Sequence, residues 1–151
     1  MGERLGLPVE EDIIQANVVN HTGANGWERM VRQALFEGPT LPGRSYVMVD
    51  DFVGLGGTLA NLRGYLMSGG GSVKAAITLI GRDDSAKLAL RPDTLTSLRA
   101  KYGQDLEDWW QQEFGYDFAC LTESEARYLL RVEDAHTVRA QLAAAGSEEY
   151  P

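Results

Sequence analysis

The sequence predicts an α/β fold: a short parallel sheet with helices on both faces, followed by a helical C-terminal extension. Three observations carry this. The run Tyr46-Val-Met-Val-Asp-Asp-Phe-Val-Gly-Leu-Gly-Gly-Thr58 passes from apolar residues through two carboxylates and a glycine-rich turn into a helix start. A second apolar run, Val73 to Ile80, follows that helix, and strand, helix, strand over this length is a βαβ unit with a right-handed crossover. From Pro92 onward the apolar period becomes helical and stays so. The chain accordingly divides into an α/β core over 1–91 and a helical cap over 92–151, packed on the same domain.

Each element has its own signal. Ile13 to Val19 is rich in Ile and Val and reads as a strand. His21-Thr-Gly-Ala-Asn-Gly26 is an exposed loop by its glycines and asparagine. Trp27, Met30, Val31 and Leu35 recur at helical spacing, which predicts a helix over Gly26 to Phe36. Glu37 to Gly43 is a turn cluster with two prolines. Tyr46 to Val49 is apolar at every position, as expected where both faces of a parallel sheet are covered. The helix from Thr58 to Met67 places Leu59, Leu62 and Leu66 on one face and stops at Ser68-Gly-Gly-Gly71. In the cap, Leu95, Leu98 and Tyr102 form one stripe, and Leu106, Trp109, Trp110 and Phe114 another. Thr122 and Glu125 have the spacing of a capping box for a helix bearing Ala126, Leu129 and Leu130. A last helix runs from about Asp134 to Ala145 and closes at Gly146.

The totals narrow the function classes. A chain of 151 residues, 44% apolar, supports one domain with a real core. Its formal charge of −8, spread along the chain, disfavours a nucleic-acid surface, which needs clustered Lys and Arg. One cysteine, Cys120, allows no internal disulfide and suits a reducing cytoplasm. Flanked by Ala119 and Leu121, that cysteine reads as buried and inert. No apolar stretch approaches the roughly 20 residues needed to cross a bilayer, and the N-terminus lacks the apolar core of a signal peptide. A soluble, cytoplasmic protein without membrane or nucleic-acid partners is expected.

The chemistry concentrates at Asp50 to Thr58. Ligands of open parallel sheets sit outside the carboxyl ends of the strands, where these residues fall. Successive strand residues face opposite ways, so both acids can serve one ligand only at the strand's end, where the backbone turns. Ionised carboxylates only accept hydrogen bonds, which suits vicinal hydroxyls or Mg²⁺. A phosphate would rest a few residues on, over the amides of Gly54 to Thr58 at a helix N-terminus. A Walker A loop is excluded because no lysine lies between Leu41 and Gly71, and the dinucleotide fingerprint fails at Leu59.

The segment Val47-Met-Val-Asp-Asp-Phe-Val-Gly-Leu-Gly-Gly-Thr-Leu59 resembles the phosphoribosyl-pyrophosphate signature of the type I phosphoribosyltransferases, with the similarity covering about Leu5 to Arg82. The resemblance implies a Rossmann-like parallel sheet with flanking helices and a role in nucleotide metabolism. It implies Asp50 and Asp51 as the catalytic pair, on the ribose 2′- and 3′-hydroxyls, with Gly54, Leu55, Gly56, Gly57 and Thr58 around the 5′-phosphate. It also implies Mg²⁺, held through the pyrophosphate, and transfer of phosphoribose to a base the sequence does not name. Two departures stand out. Gly54 and Leu55 replace two hydroxyl residues, and the N-terminal strand with its pyrophosphate loop has no counterpart before Leu5.

Further residues have two readings each. His21 is a solvated loop histidine or a pyrophosphate contact; Arg29 and Arg32 are a wet helix face or pyrophosphate ligands. Arg82 ends a strand or meets a base, and Trp109, Trp110 and Phe114 are core or dimer packing rather than the floor of a purine site. Three functions compete: a phosphoribosyltransferase binding phosphoribosyl pyrophosphate or a nucleoside 5′-monophosphate, a non-catalytic nucleotide-binding sensor or assembly module, and a phosphoacceptor receiver. The receiver fits worst, since no aspartate ends the strand at Leu79-Ile-Gly81. A sheet without its first strand leaves an edge or slot for a second chain, so a homodimer is expected.

Overall fold

The structure is a computed structural model and describes residues 6–17, 25–81 and 87–147. It is a mixed α/β arrangement with small sheets. In chain order the elements are β1 (Ile14–Gln15), α1 (Gly26–Val31), β2 (Phe36–Glu37), β3 (Ser45–Val53), α2 (Gly57–Ser68), β4 (Ser72–Gly81), α3 (Pro92–Phe114), a 3-10 turn (Phe118–Cys120), α4 (Glu123–Leu130) and α5 (Ala135–Ser147). β1 and β2 make a short antiparallel ladder, and β3 pairs with β4 in parallel, with a register shift after Tyr46–Val73 that leaves Lys74 without a partner.

Local chemistry sets several boundaries. Asn25 caps α1 by accepting from Trp27 N and Glu28 N, while Glu28 Oε2 accepts from Asn25 N, a reciprocal box. The helix expected over Gly26 to Phe36 ends at Val31 instead. Asn17 competes for the next residues: its side chain donates to Gln33 O and accepts from Leu35 N, drawing this segment toward β1. Leu35 is exposed rather than part of the packed stripe. The strand expected over Ile13 to Val19 is only Ile14–Gln15 among the described residues.

Two cores are built from these elements. Tyr46, Met48 and Val53 of β3 pack against Leu59 and Leu66 of α2. The larger core is helical: Leu98, Tyr102, Leu106 and Trp110 of α3 meet Phe118, Ala126, Leu129, Val138 and Leu142. Met30 of α1 joins this helical core, far from it in sequence. α3 is broken at Gly103, whose φ of 71° interrupts the helical ladder. Glu123 fastens the start of α3 to α4: its buried carboxylate accepts from Arg91 N, Thr94 Oγ1 and Arg127 Nε at 2.9, 2.9 and 2.7 Å.

The two expected faces of the sheet are not alike. α2 covers the side bearing Tyr46 and Met48. Val47, Val49, Ile77 and Leu79, which alternation and register place on the other side, stay exposed, so helices on both faces are not what the described residues form.

Candidate functional site

A cleft of about 820 Å³ lies where the glycine turn after β3 approaches α1 and the start of α4. Gly54, Leu55, Gly56, Gly57 and Thr58 all line it, with Arg29, Arg32, Arg63, Tyr116 and Glu125. Two glycines are there for close approach. A Cβ on Gly54 would fall 2.3 Å from Arg29 Nη1, and one on Gly57 would fall 2.9 Å from Glu125 Oε1. Gly56 has φ 87°, a left-handed conformation that glycine adopts without penalty, and it caps α2 with no side-chain bond.

Thr122 connects the turn to the helical core. Its hydroxyl donates to the Leu55 carbonyl at 2.7 Å and accepts from Glu125 N at 3.1 Å, while Thr122 N donates to Glu125 Oε2 at 2.8 Å. The Leu55 side chain packs against the helical core. A leucine at this place in the turn is therefore explained by packing. The anion-cradling role expected of Leu55 needs only its backbone amide, and the structure shows a second use for the residue.

The acids lie elsewhere. β3 runs on through Val53, so Asp50 and Asp51 sit inside the strand, Asp50 opposite Thr78, and not at its turning end. They follow the strand's alternation, Asp50 half-buried and Asp51 exposed, and neither lines the cleft. Partial burial pushes the Asp50 carboxyl above its ordinary range, against the opposing hydrogen bond from Asp51 N. The structure therefore brings the glycine turn and Arg29 together, and leaves the paired acids out. His21 and Arg82 lie outside the described residues.

Other residues around the cleft went unread in the sequence. Gln33 Nε2 donates to Tyr116 Oη at 2.6 Å, and burial raises the Tyr116 phenol well above its ordinary value. Cys120 is exposed and lines the cleft, not buried as its neighbours suggested; partial burial and then Asp117 push its thiol up. Trp109, Trp110 and Phe114 are packed on one another, with Trp110 and Phe114 centroids 4.5 Å apart and Trp110 fully buried. Among the described residues, no three His, Cys, Asp or Glu side chains converge as metal donors, and no helix is long and apolar enough to cross a membrane.

No protein-family model matches the chain, and no solved structure matches it. The chain is 38% identical over 148 residues to Protein TraN of Escherichia coli, an alignment covering 98% of this chain and 33% of that protein. It is 37% identical over 67 residues, 44% of this chain and 15% of the other, to an uncharacterized protein of Haemophilus influenzae. The chain thus spans about a third of the length of TraN. These findings overturn the phosphoribosyltransferase resemblance, and with it phosphoribosyl transfer, nucleotide sensing and nucleotide metabolism. The physical reason is that the signature at Val47–Leu59 encodes a local shape. An apolar run, acids and glycines specify a strand, a tight turn and a helix, a shape that serves many functions.

Proposed function

We propose that the chain is a non-catalytic binding module of plasmid transfer, whose arginine-lined cleft takes an acidic segment of a partner protein. The alignment to TraN, a conjugation protein, over nearly the whole chain carries the first half of this reading. The second half rests on the cleft. In a chain of net charge −8, Arg29, Arg32 and Arg63 line one concavity with the glycine turn that begins α2, and the Arg29 guanidinium lies against Gly54. Guanidinium presents a rigid fork of donors matched to carboxylates. Phe36, Leu55 and Leu88 also line the cleft, so an acidic segment with apolar flanking residues fits better than a bare anion.

The test is transfer of a plasmid from donor cells carrying this chain's gene with Arg29→Glu and Arg63→Glu. Transfer is expected to fall about tenfold, matching the loss of roughly 1.4 kcal/mol of binding. Wild-type transfer by the double variant would remove the cleft from the function.

A further inference from the structure

Among the described residues that line the cleft, Glu125 is the one carboxyl, set against the three arginines. It is only 7% exposed, and its two oxygens have different surroundings. Oε2 accepts from Thr122 N at 2.8 Å. Oε1 lies by the glycine turn, 2.9 Å from where a Cβ on Gly57 would fall. Gly57 opens α2, whose cap Gly56 makes no side-chain bond and whose first turn carries no acid. An acid beside that helix start comes instead from α4.

The charge on Glu125 changes what this corner offers. An ionised carboxylate only accepts hydrogen bonds, whereas a protonated one has an O–H to donate. Because Oε2 already accepts from Thr122 N, a proton on the group goes to Oε1, beside the glycine turn. A helix N-terminus attracts negative charge, and two carboxylates in one place repel each other. Ionised, Glu125 answers the start of α2 itself. Neutral, it leaves that place to an incoming carboxylate and adds a donor. We infer that Glu125 decides when the cleft accepts an acidic segment: with its proton it donates from Oε1 to the segment's carboxylate, and without it turns that carboxylate away. The inference rests on the acidic-segment reading of the cleft and adds its control by protons.

The other groups facing this corner keep their charge while Glu125 changes. Burial raises the Glu125 carboxyl above 4.5, against the bonds from Thr122, so it ionises nearer neutrality than an ordinary glutamate. Arg29 and Arg32 of α1 and Arg63 of α2 stay cationic. Thiols and phenols ordinarily titrate above about 8. Burial and then Asp117 raise Cys120 further, and burial and then the Glu125 charge raise Tyr116. Tyr65 donates its hydroxyl to the Gly38 carbonyl. Asp117 accepts from Ala119 N at the 3-10 turn. On α4 itself, burial would raise Glu123, but the bonds from Arg91 N, Arg127 and Thr94 hold it below 4.5.

Calorimetric titration with a short Glu-Leu peptide of blocked termini tests the inference, between about pH 5.5 and 8, where the peptide's own carboxylates stay ionised. Wild-type affinity is expected to fall about tenfold as the pH rises. Binding near neutral pH is expected to take up protons, read from buffers of different ionisation enthalpy. Glu125→Gln keeps an oxygen for Thr122 N and a donor toward the turn. It is expected to hold the wild type's low-pH affinity throughout and to take up no protons. A wild-type affinity flat across the range, or binding without proton uptake, would overturn the inference and leave the acidic-segment reading standing; neither measurement needs the variant. A Glu125→Gln protein whose affinity falls in parallel with wild type would overturn it as well. Absence of binding by both proteins at every pH would overturn the acidic-segment reading and this inference together.

Discussion

The Thr122 hydroxyl donates a 2.7 Å hydrogen bond to the Leu55 carbonyl, joining residues 67 apart in sequence. One buried side chain thereby caps α4 and holds the glycine turn against the helical core. The glycine turn is held to the helical core by this contact and by the Leu55 side chain, so the position of that cleft wall depends on a helix cap.

Thr122→Val keeps the shape and removes the hydroxyl. It leaves the Leu55 carbonyl and the Glu125 amide without their partner in a buried place, a cost of about 2–3 kcal/mol from the lost cap and the unpaired groups. Thr122→Ser retains both bonds and is expected to cost under about 1 kcal/mol. Urea denaturation of the two variants checks this; a Val variant as stable as the Ser one would mean that the bond to Leu55 adds nothing.

Local signals in the sequence were legible where one segment determines its own structure. The capping box at Thr122 and Glu125, the apolar stripes of α3, and the helix of α2 that follows the glycine turn all appear. The reading failed where distant residues decide. Asn17 ends the first helix early through bonds 16 and 18 residues away. β3 outlasts its apolar run because the backbone of Asp50 to Val53 keeps pairing with β4, which holds the acids in the strand. Arg29 comes to the glycine turn because Met30 beside it is buried in a helical core made of residues after Pro92. No spacing within α1 announces that contact.

The glycines of the turn separate into two kinds. At Gly54 the obstacle to a side chain is the far end of Arg29, which can swing away. Gly54→Ala is therefore expected to cost less than about 1 kcal/mol of stability, while displacing the guanidinium from the cleft. At Gly56 the obstacle is the backbone itself, at φ 87°, and Gly56→Ala is expected to cost about 1–2 kcal/mol. Calorimetric titration with a short Glu-Leu peptide, alongside thermal unfolding, checks both. Gly54→Ala should weaken peptide binding more than it lowers stability; the reverse order would contradict the role given to Arg29.

Glu123 and Glu125 are neighbours in one helix turn that titrate in opposite senses. Burial would raise the Glu123 carboxyl, but the bonds from Arg91 N, Arg127 and Thr94 outweigh it and hold the group below the ordinary 4.5. Its contribution to stability is thus complete above pH 4.5 and lost as the pH falls below it. Burial raises Glu125, against the opposing bonds from Thr122, so its contribution is complete below 4.5 and lost as the pH rises above it. Glu123→Gln is expected to lose about 1–3 kcal/mol at pH 7, with the deficit shrinking toward pH 4 as the wild type protonates. Glu125→Gln keeps an oxygen for Thr122 N and no longer buries a charge, so its stability relative to wild type should climb between pH 4.5 and 7. Urea midpoints measured at several pH values decide the matter. Two variants that track wild type in parallel across that range would show that neither carboxyl is perturbed by its surroundings.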